Sequence, residues 1–280
     1  MTGAADHWRN HERRLASLLD QHPFGLATDI DGTISKIASE GPACVSPVVQ
    51  GAISELAERC AVRALISGRT VPAIRTMIDL PGVEVFGIHG FQRLHDGRAT
   101  LAPGVERWKD AIEDATLELR ALARRSGAAL ETKVVTVVVD WRLCTDPGVI
   151  PELVLSVMAV AEARGLAVLR GRKSLEVHPP MDIDKGTCLT VLAQERHLRG
   201  LIYLGDDHSD ITAFRAIRRM REEGRLEGLA LGVMSAEMPD ELIESADLVI
   251  DGVADVEQFF SWLREHARAG SQQPTNVPPR

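Results

Sequence analysis

Short apolar runs alternate along this chain with stretches whose apolar residues recur every three or four positions, and polar residues gather where the apolar runs stop. Phe24–Thr28 is one such run, and it breaks off into Asp29-Ile30-Asp31-Gly32-Thr33. Ser46-Pro47 then reads as an N-cap with proline at the first helical position, and Val49, Ile53, Leu56 and Cys60 follow at helical spacing. A second apolar run, Val62–Ile66, ends at Ser67-Gly68-Arg69; a helix over about 70–79 leads to Val83–Phe86 and Gly87-Ile88-His89-Gly90. Strand and helix thus take turns through the first ninety or so residues. This pattern predicts an α/β fold with a doubly wound parallel sheet and its site at the carboxyl edge of the strands.

The pattern changes near Phe91. Asp96-Gly97 predicts a hairpin turn, 104–125 a long helix, Lys133–Trp141 a strand, Pro151–Arg164 a helix, and Ala167–Arg170 with Ser174–Val177 a strand pair around Gly171. Residues 92–179 therefore read as an inserted, smaller α/β domain. After Pro179-Pro180 the alternation returns: a helix from Lys185, the strand Leu201–Leu204 running into Gly205-Asp206-Asp207, a helix carrying Phe214 and Ile217, strands Leu229–Val233 and Leu248–Ile250, and a helix over about 254–266. The expected organisation is an N-terminal helix within 1–21, a core formed by 22–91 and 180–266, the insert between them, and a disordered tail over 267–280.

Composition narrows the function classes. A formal charge of −8 and 4% aromatic residues argue against a nucleic-acid binder, which needs a basic surface or stacking platforms. No apolar run is long enough to span a membrane, and the polar start of the chain, with Asp6, Arg9, Glu12 and Arg13, is no secretory signal. Cys44, Cys60, Cys144 and Cys188 have no metal-type spacing and read as thiols of a reducing compartment, so the expected location is the cytoplasm.

The candidate chemistry lies at the ends of the runs. Residues two apart on a strand point the same way, so Asp29 and Asp31 meet where the strand gives way to a loop. Two neighbouring carboxylates repel unless a hard cation such as Mg²⁺ takes their oxygens. A parallel sheet brings the same edge to Ser67, Lys185 and the Asp206, Asp207 and Asp210 cluster. Each feature alone has a plainer explanation as a cap or turn; all four in this order point to phosphoryl transfer. Asp29 is the candidate nucleophile and Asp31 the acid and base. Asp29, the Asp31 carbonyl and Asp206 are candidate Mg²⁺ ligands. Ser67 with its backbone N–H would hold phosphate oxygens, and Lys185 would neutralise developing charge.

Asp29-Ile-Asp-Gly-Thr, Ile66-Ser-Gly-Arg69, Lys185-Gly186 and Gly205-Asp-Asp-His-Ser-Asp210 resemble the four motifs of the haloacid dehalogenase-like phosphatases, with the insert as the cap. Gly87-Ile-His-Gly90, Glu131-Thr-Lys133 leading to Arg142, and Gly171-Arg-Lys-Ser-Leu-Glu-Val-His-Pro179 resemble the trehalose-6-phosphate phosphatases of that group. The resemblance covers about residues 22–260. It implies that Asp207 or Asp210 supports the metal's waters, and that Gly68, Arg69, His89, Gly90, Glu131, Lys133, Arg142, Arg172 and Glu176 meet the sugar phosphate. The chain departs from the family at Thr28, at Asp140 where a histidine is usual, at His178, and at Ile211-Thr212.

The expectation is a monomeric Mg²⁺-dependent phosphatase that hydrolyses trehalose 6-phosphate. The nearest rival is the same chemistry on sucrose phosphate or a mannosyl phosphate. A phospho-acceptor signalling module needs neither an acid and base at Asp31 nor so large an insert. A silent binding protein has no need of Asp29, Asp31, Ser67, Lys185 and Asp206 together.

Overall fold

The computed structural model describes residues 5–37, 43–95, 97–236 and 238–270. Strand β1 (Asp6–His7), helix α1 (Glu12–Leu19) and strand β2 (Phe24–Thr28) open the chain. Next come α2 (Pro47–Glu55), β3 (Val62–Ile66), α3 (Val71–Met77), β4 (Val83–Gly87), β5 (Gln92–His95) and β6 (Arg98–Leu101). The middle of the chain holds α4 (Lys109–Ser126), β7 (Ala129–Thr132), β8 (Val137–Asp140), α5 (Ile150–Glu162), β9 (Ala167–Arg170) and β10 (Ser174–His178). It ends with α6 (Lys185–Glu195), β11 (Gly200–Gly205), α7 (His208–Glu222), β12 (Glu227–Val233), α8 (Asp240–Ser245), β13 (Leu248–Ile250) and α9 (Gly252–Gly270). Among the described residues no helix is long and apolar enough to cross a membrane.

The strands form a nine-stranded sheet in the order β1-β13-β12-β11-β2-β3-β4-β5-β6 and a four-stranded sheet in the order β7-β8-β10-β9. The large sheet is parallel from β1 to β4, and it packs helices on both faces because its strands are apolar on both. Phe24, Leu26, Leu65, Ile202, Leu204, Leu229 and Leu231 face one core with residues of α1, α2 and α9. Their alternates, Ala27, Ala64, Ile66, Leu201, Tyr203 and Ala230, face the other core with α6 and α7. From β2 the chain winds outward to β3 and β4; from β11 it winds the other way to β12 and β13. The crevice between the carboxyl ends of β2 and β11 is therefore the switch point where such sheets bind ligands.

The small sheet is antiparallel and two-sided. Val137, Val139, Leu175 and Val177 pack on α4 and α5. Val138 lies opposite Glu131 and Glu176, and Asp140 opposite Ser174, so the pleat carries these polar side chains to the other face.

Several elements differ from expectation. Residues 92–101, assigned to the insert, instead extend the large sheet as an antiparallel hairpin, β5–β6; Asp96 of its turn lies outside the described residues. The strand expected over 133–141 begins only at Val137, because Lys133 N–H donates to Thr136 O at 2.9 Å and closes the β7–β8 turn. The last helix runs on to Gly270, so of the expected tail only 271–280 lies outside the described residues. The expected N-terminal helix starts late, since Asp6 and His7 pair with Leu248 and Val249.

That N-terminal edge is pinned by one carboxylate. Asp255 accepts from Trp8 Nε1 at 2.8 Å and Arg9 Nη2 at 2.9 Å, and lies 3.0 Å from His7 Nε2. Trp8 itself is buried against Phe259 and Trp262. Asp255→Ala leaves a buried indole N–H without its acceptor and is expected to cost about 2 kcal/mol in urea unfolding. An unchanged unfolding midpoint would show that β1 is held by its apolar contacts alone.

Candidate active site

Asp29 continues β2 by one residue, its N–H donating to Leu204 O of β11 at 2.9 Å. The carboxylate is buried and meets Lys185 Nζ at 2.8 Å. Lys185 opens α6 behind the N-cap Asp184 and is 2% exposed. Its ammonium also donates to Asp210 Oδ1 at 2.8 Å. Asp210 is saturated: Tyr203 OH reaches Oδ1 at 2.6 Å, and the N–H groups of Asp206 and Asp207 reach Oδ2 at 3.1 and 3.0 Å. One buried carboxylate thus fixes the turn after β11, the start of α7 and the ammonium on Asp29.

Asp206 closes the crevice from the β11 side. Its Oδ1 accepts from Thr33 Oγ1 at 2.8 Å, and its Oδ2 is paired with the Arg172 guanidinium. Gly32 has φ +86, and a Cβ there would run into the Asp206 carboxylate, so the turn after Asp31 needs glycine. Asp29, Asp206 and Asp210 each place a carboxylate oxygen within 4.8 Å of the others. Burial, opposed by Lys185 and reinforced by Asp210, pushes the Asp29 carboxyl up to about 7. Burial and then Asp29 hold Asp206 well above the usual carboxylate range. Three all-oxygen donors under mutual repulsion fit a hard divalent cation. With Asp210 committed to four donors, Asp29 and Asp206 are the carboxylates with capacity for it.

Asp31 is gripped in fork geometry by Arg69, with Nε at 2.5 Å and Nη2 at 2.7 Å. Ser67 departs from expectation in one respect. Its N–H donates to Phe86 O at 2.9 Å and so is taken by the sheet, and its hydroxyl oxygen accepts from Arg69 N–H at 3.2 Å. The hydroxyl, not the amide, is what Ser67 brings to the cavity. Ile88 and His89 both have left-handed backbones, φ 49 and 55, which is costly for a β-branched residue. The turn is secured by Ile88 N–H to Arg69 O at 2.8 Å and His89 N–H to Ser67 O at 2.9 Å. It lays the imidazole against Gly68, where a Cβ would sit 2.7 Å from Nε2.

These residues surround a cavity of about 560 Å³. Asp29, Asp31, Ser67, Gly68, Arg69, His89, Lys185 and Asp207 line it from the large sheet, and Glu131, Lys133, Arg142 and Arg172 from the small one. Four expected residues are not in its lining: Gly90, Glu176, Asp206 and Asp210. Glu176 in particular is 7% exposed and occupied by protein. It accepts from Thr136 Oγ1 at 2.5 Å and Lys133 Nζ at 3.1 Å and lies 3.3 Å from His89 Nε2. Lys133 Nζ also donates to Gly68 O at 2.8 Å, so this cluster ties the small sheet to the large one. Thr136 and Tyr203 are not among the expected residues. Tyr203 is the single tyrosine, placed by strand alternation on the α6 and α7 face, where its hydroxyl meets Asp210, and that placement is a readable signal.

Residues 27–238 match the family model described as trehalose-phosphatase. The chain belongs to the trehalose-phosphatase family. A trehalose-phosphate phosphatase of Mycobacterium tuberculosis is 32% identical over 235 residues, covering 75% of this chain and 58% of that protein. An uncharacterised glycosyl hydrolase of the same organism is 34% identical over 217 residues, covering 73% of this chain and 16% of that protein. The chain thus spans little more than half of the one relative and a small part of the other. Among solved structures, the C-terminal domain of Candida albicans trehalose-6-phosphate phosphatase superposes with a TM-score of 0.76 at 17% identity, covering 94% of this chain and 99% of that one. A trehalose-6-phosphate phosphatase related protein gives 0.70 at 19% identity, covering 89% and 100%. These two likenesses carry the fold, and the matched residues 27–238 include those gathered around the cavity.

Glu176 makes the site's stability depend on pH. Burial raises its pKa, but His89, Lys133 and Thr136 outweigh burial and hold it at about 2, below the ordinary 4.5. A depressed pKa contributes stability that is present above pH 4.5 and lost as pH falls toward 2. Glu176→Gln is therefore expected to cost on the order of 3 kcal/mol at pH 7, with the gap from the parent protein closing below pH 4. Parallel stability curves from pH 7 to pH 3 would remove Glu176 from this role.

Proposed function

We propose that this chain is a Mg²⁺-dependent phosphatase that hydrolyses trehalose 6-phosphate to trehalose and phosphate. Family membership supports the substrate, and the Lys185 ammonium set between Asp29 and Asp210 carries the chemistry. In this reading an Asp29 oxygen attacks phosphorus, the P–O bond to the sugar breaks, and Asp31 gives its proton to the departing alkoxide. The resulting acyl phosphate on Asp29 is then attacked at phosphorus by water, whose proton passes to Asp31; phosphate leaves and Asp29 is regenerated. Arg69 orients Asp31 through its fork. Lys185 holds Asp29 in place and offsets charge on the phosphoryl oxygens. Mg²⁺, held by Asp29 and Asp206, would supply the positive charge that lets a carboxylate approach a phosphate dianion.

The small sheet, from α4 to β10, serves as a cap that excludes bulk water and selects the leaving group. A phospho-acceptor signalling module has no use for such a wall. All four cysteines are free thiols, which supports a reducing, cytoplasmic setting.

The deciding assay is phosphate release from a panel of sugar phosphates with Mg²⁺ or with EDTA. Trehalose 6-phosphate is expected to exceed sucrose and mannosyl phosphates, with activity lost in EDTA; release from another sugar would keep the chemistry and replace the substrate. Asp31→Asn is expected to lower kcat by about a hundredfold or more while KM changes little. Undiminished turnover in that variant would take proton transfer away from Asp31.

A further inference from the structure

Asp140 ends β8 on the polar face of the small sheet, opposite Ser174. Its carboxylate is committed to one neighbour. Oδ1 accepts the backbone N–H of Arg142 at 2.8 Å, and Oδ2 takes the same residue's Nε at 2.7 Å and Nη2 at 2.5 Å. The Nε–Nη2 edge of a guanidinium is one of those that grip a phosphate or carboxylate in a fork. Here that edge is filled from within the chain.

The pair stands in the small-sheet wall of the cavity that Asp29 also lines. Asp140 and Arg142 line the 560 Å³ cavity and also an adjoining one of about 940 Å³, which Asp29 does not reach. In the phosphatase reading, the leaving group of a phosphate held at Asp29 shares the cavity with this wall. The other charges of the small sheet are also mixed in sign: Lys133 pairs with Glu176, and Glu131 and Arg172 line the same cavity. The wall around the leaving group is rich in hydrogen-bonding groups, and its charges largely cancel. Such a wall suits hydroxyls. A second phosphate there finds the Nε–Nη2 fork of Arg142 already filled by the Asp140 carboxylate.

We propose that Asp140 is a specificity-determining residue that, by occupying Arg142, reserves the small-sheet side of the cavity for an uncharged, hydroxyl-rich leaving group and turns away esters bearing a second phosphate. The inference rests on the phosphatase reading above and goes beyond it by assigning the rejected class of substrate.

The test compares kcat/KM for trehalose 6-phosphate and for fructose 1,6-bisphosphate in the parent protein, Asp140→Asn and Asp140→Glu, with thermal melts to confirm folding. Asn keeps the shape and still accepts the Arg142 N–H but lacks the charge; Glu keeps the charge. The preference for the monophosphate is expected to fall by about tenfold in Asp140→Asn and to persist in Asp140→Glu. General damage to the site lowers both substrates together and leaves the ratio alone. An unchanged ratio in Asp140→Asn overturns the proposal, as does an equal loss in both variants. If the parent protein hydrolyses no sugar phosphate at all, the phosphatase reading itself falls and this proposal with it.

Discussion

Lys185 is 2% exposed, and its ammonium meets Asp29 and Asp210 at 2.8 Å each. Leaving a buried charge unpaired costs several kcal/mol, so neither carboxylate can be removed without disturbing the other two groups. Burial works against the ammonium, yet Asp210 and Asp29 outweigh it and raise its pKa, so it stays charged. Asp210 in turn holds the N–H groups of Asp206 and Asp207 and the Tyr203 hydroxyl. The ends of β2 and β11 and the starts of α6 and α7 are thereby fixed to one point. The position of Asp206, and with it any divalent cation, follows from that point.

This centre was legible in the sequence because its physics is local. An apolar run that stops at two aspartates, or a lysine at a helix start, states its own position at the carboxyl edge of a parallel sheet. The α/β class, the parallel order and most helices followed from period and capping, as Ser46 shows by accepting Val49 N–H ahead of Pro47. Less legible was anything decided by a partner far along the chain. β1 exists because Leu248 and Val249 lie beside it. The β5–β6 hairpin joins the large sheet through Phe86 and Gly87, whereas its own pattern fits either sheet equally well. Lys133 looked like part of a strand, since the turn that ends it depends on Thr136 O.

The same division separates the residues of the site. Asp29, Asp31, Ser67, Gly68, Arg69 and Lys185 line the cavity as their motifs imply. Ser67 lends only its hydroxyl, because strand pairing with Phe86 consumes the amide. The family resemblance marks Glu176 as a candidate for sugar hydroxyls. The fold surrounds it with Lys133, Thr136 and His89, and a carboxylate with three donors has little left to offer a ligand. Its energy goes instead into the joint between the two sheets.

That joint explains the strained turn at Ile88 and His89. A left-handed isoleucine persists only where its surroundings over-determine it. Here the hydrogen bonds to Arg69 O and Ser67 O fold the chain back over the loop that carries Gly68 and Arg69. The imidazole then rests on Gly68 and faces Glu176, while Lys133 reaches Gly68 O from the small sheet. Loop, histidine and small sheet hold one another, so the small-sheet wall of the cavity is registered against the loop whose Arg69 grips Asp31. The two sheets are consequently one mechanical unit at this edge, joined through a left-handed turn that hydrogen bonds to Arg69 O and Ser67 O hold in place.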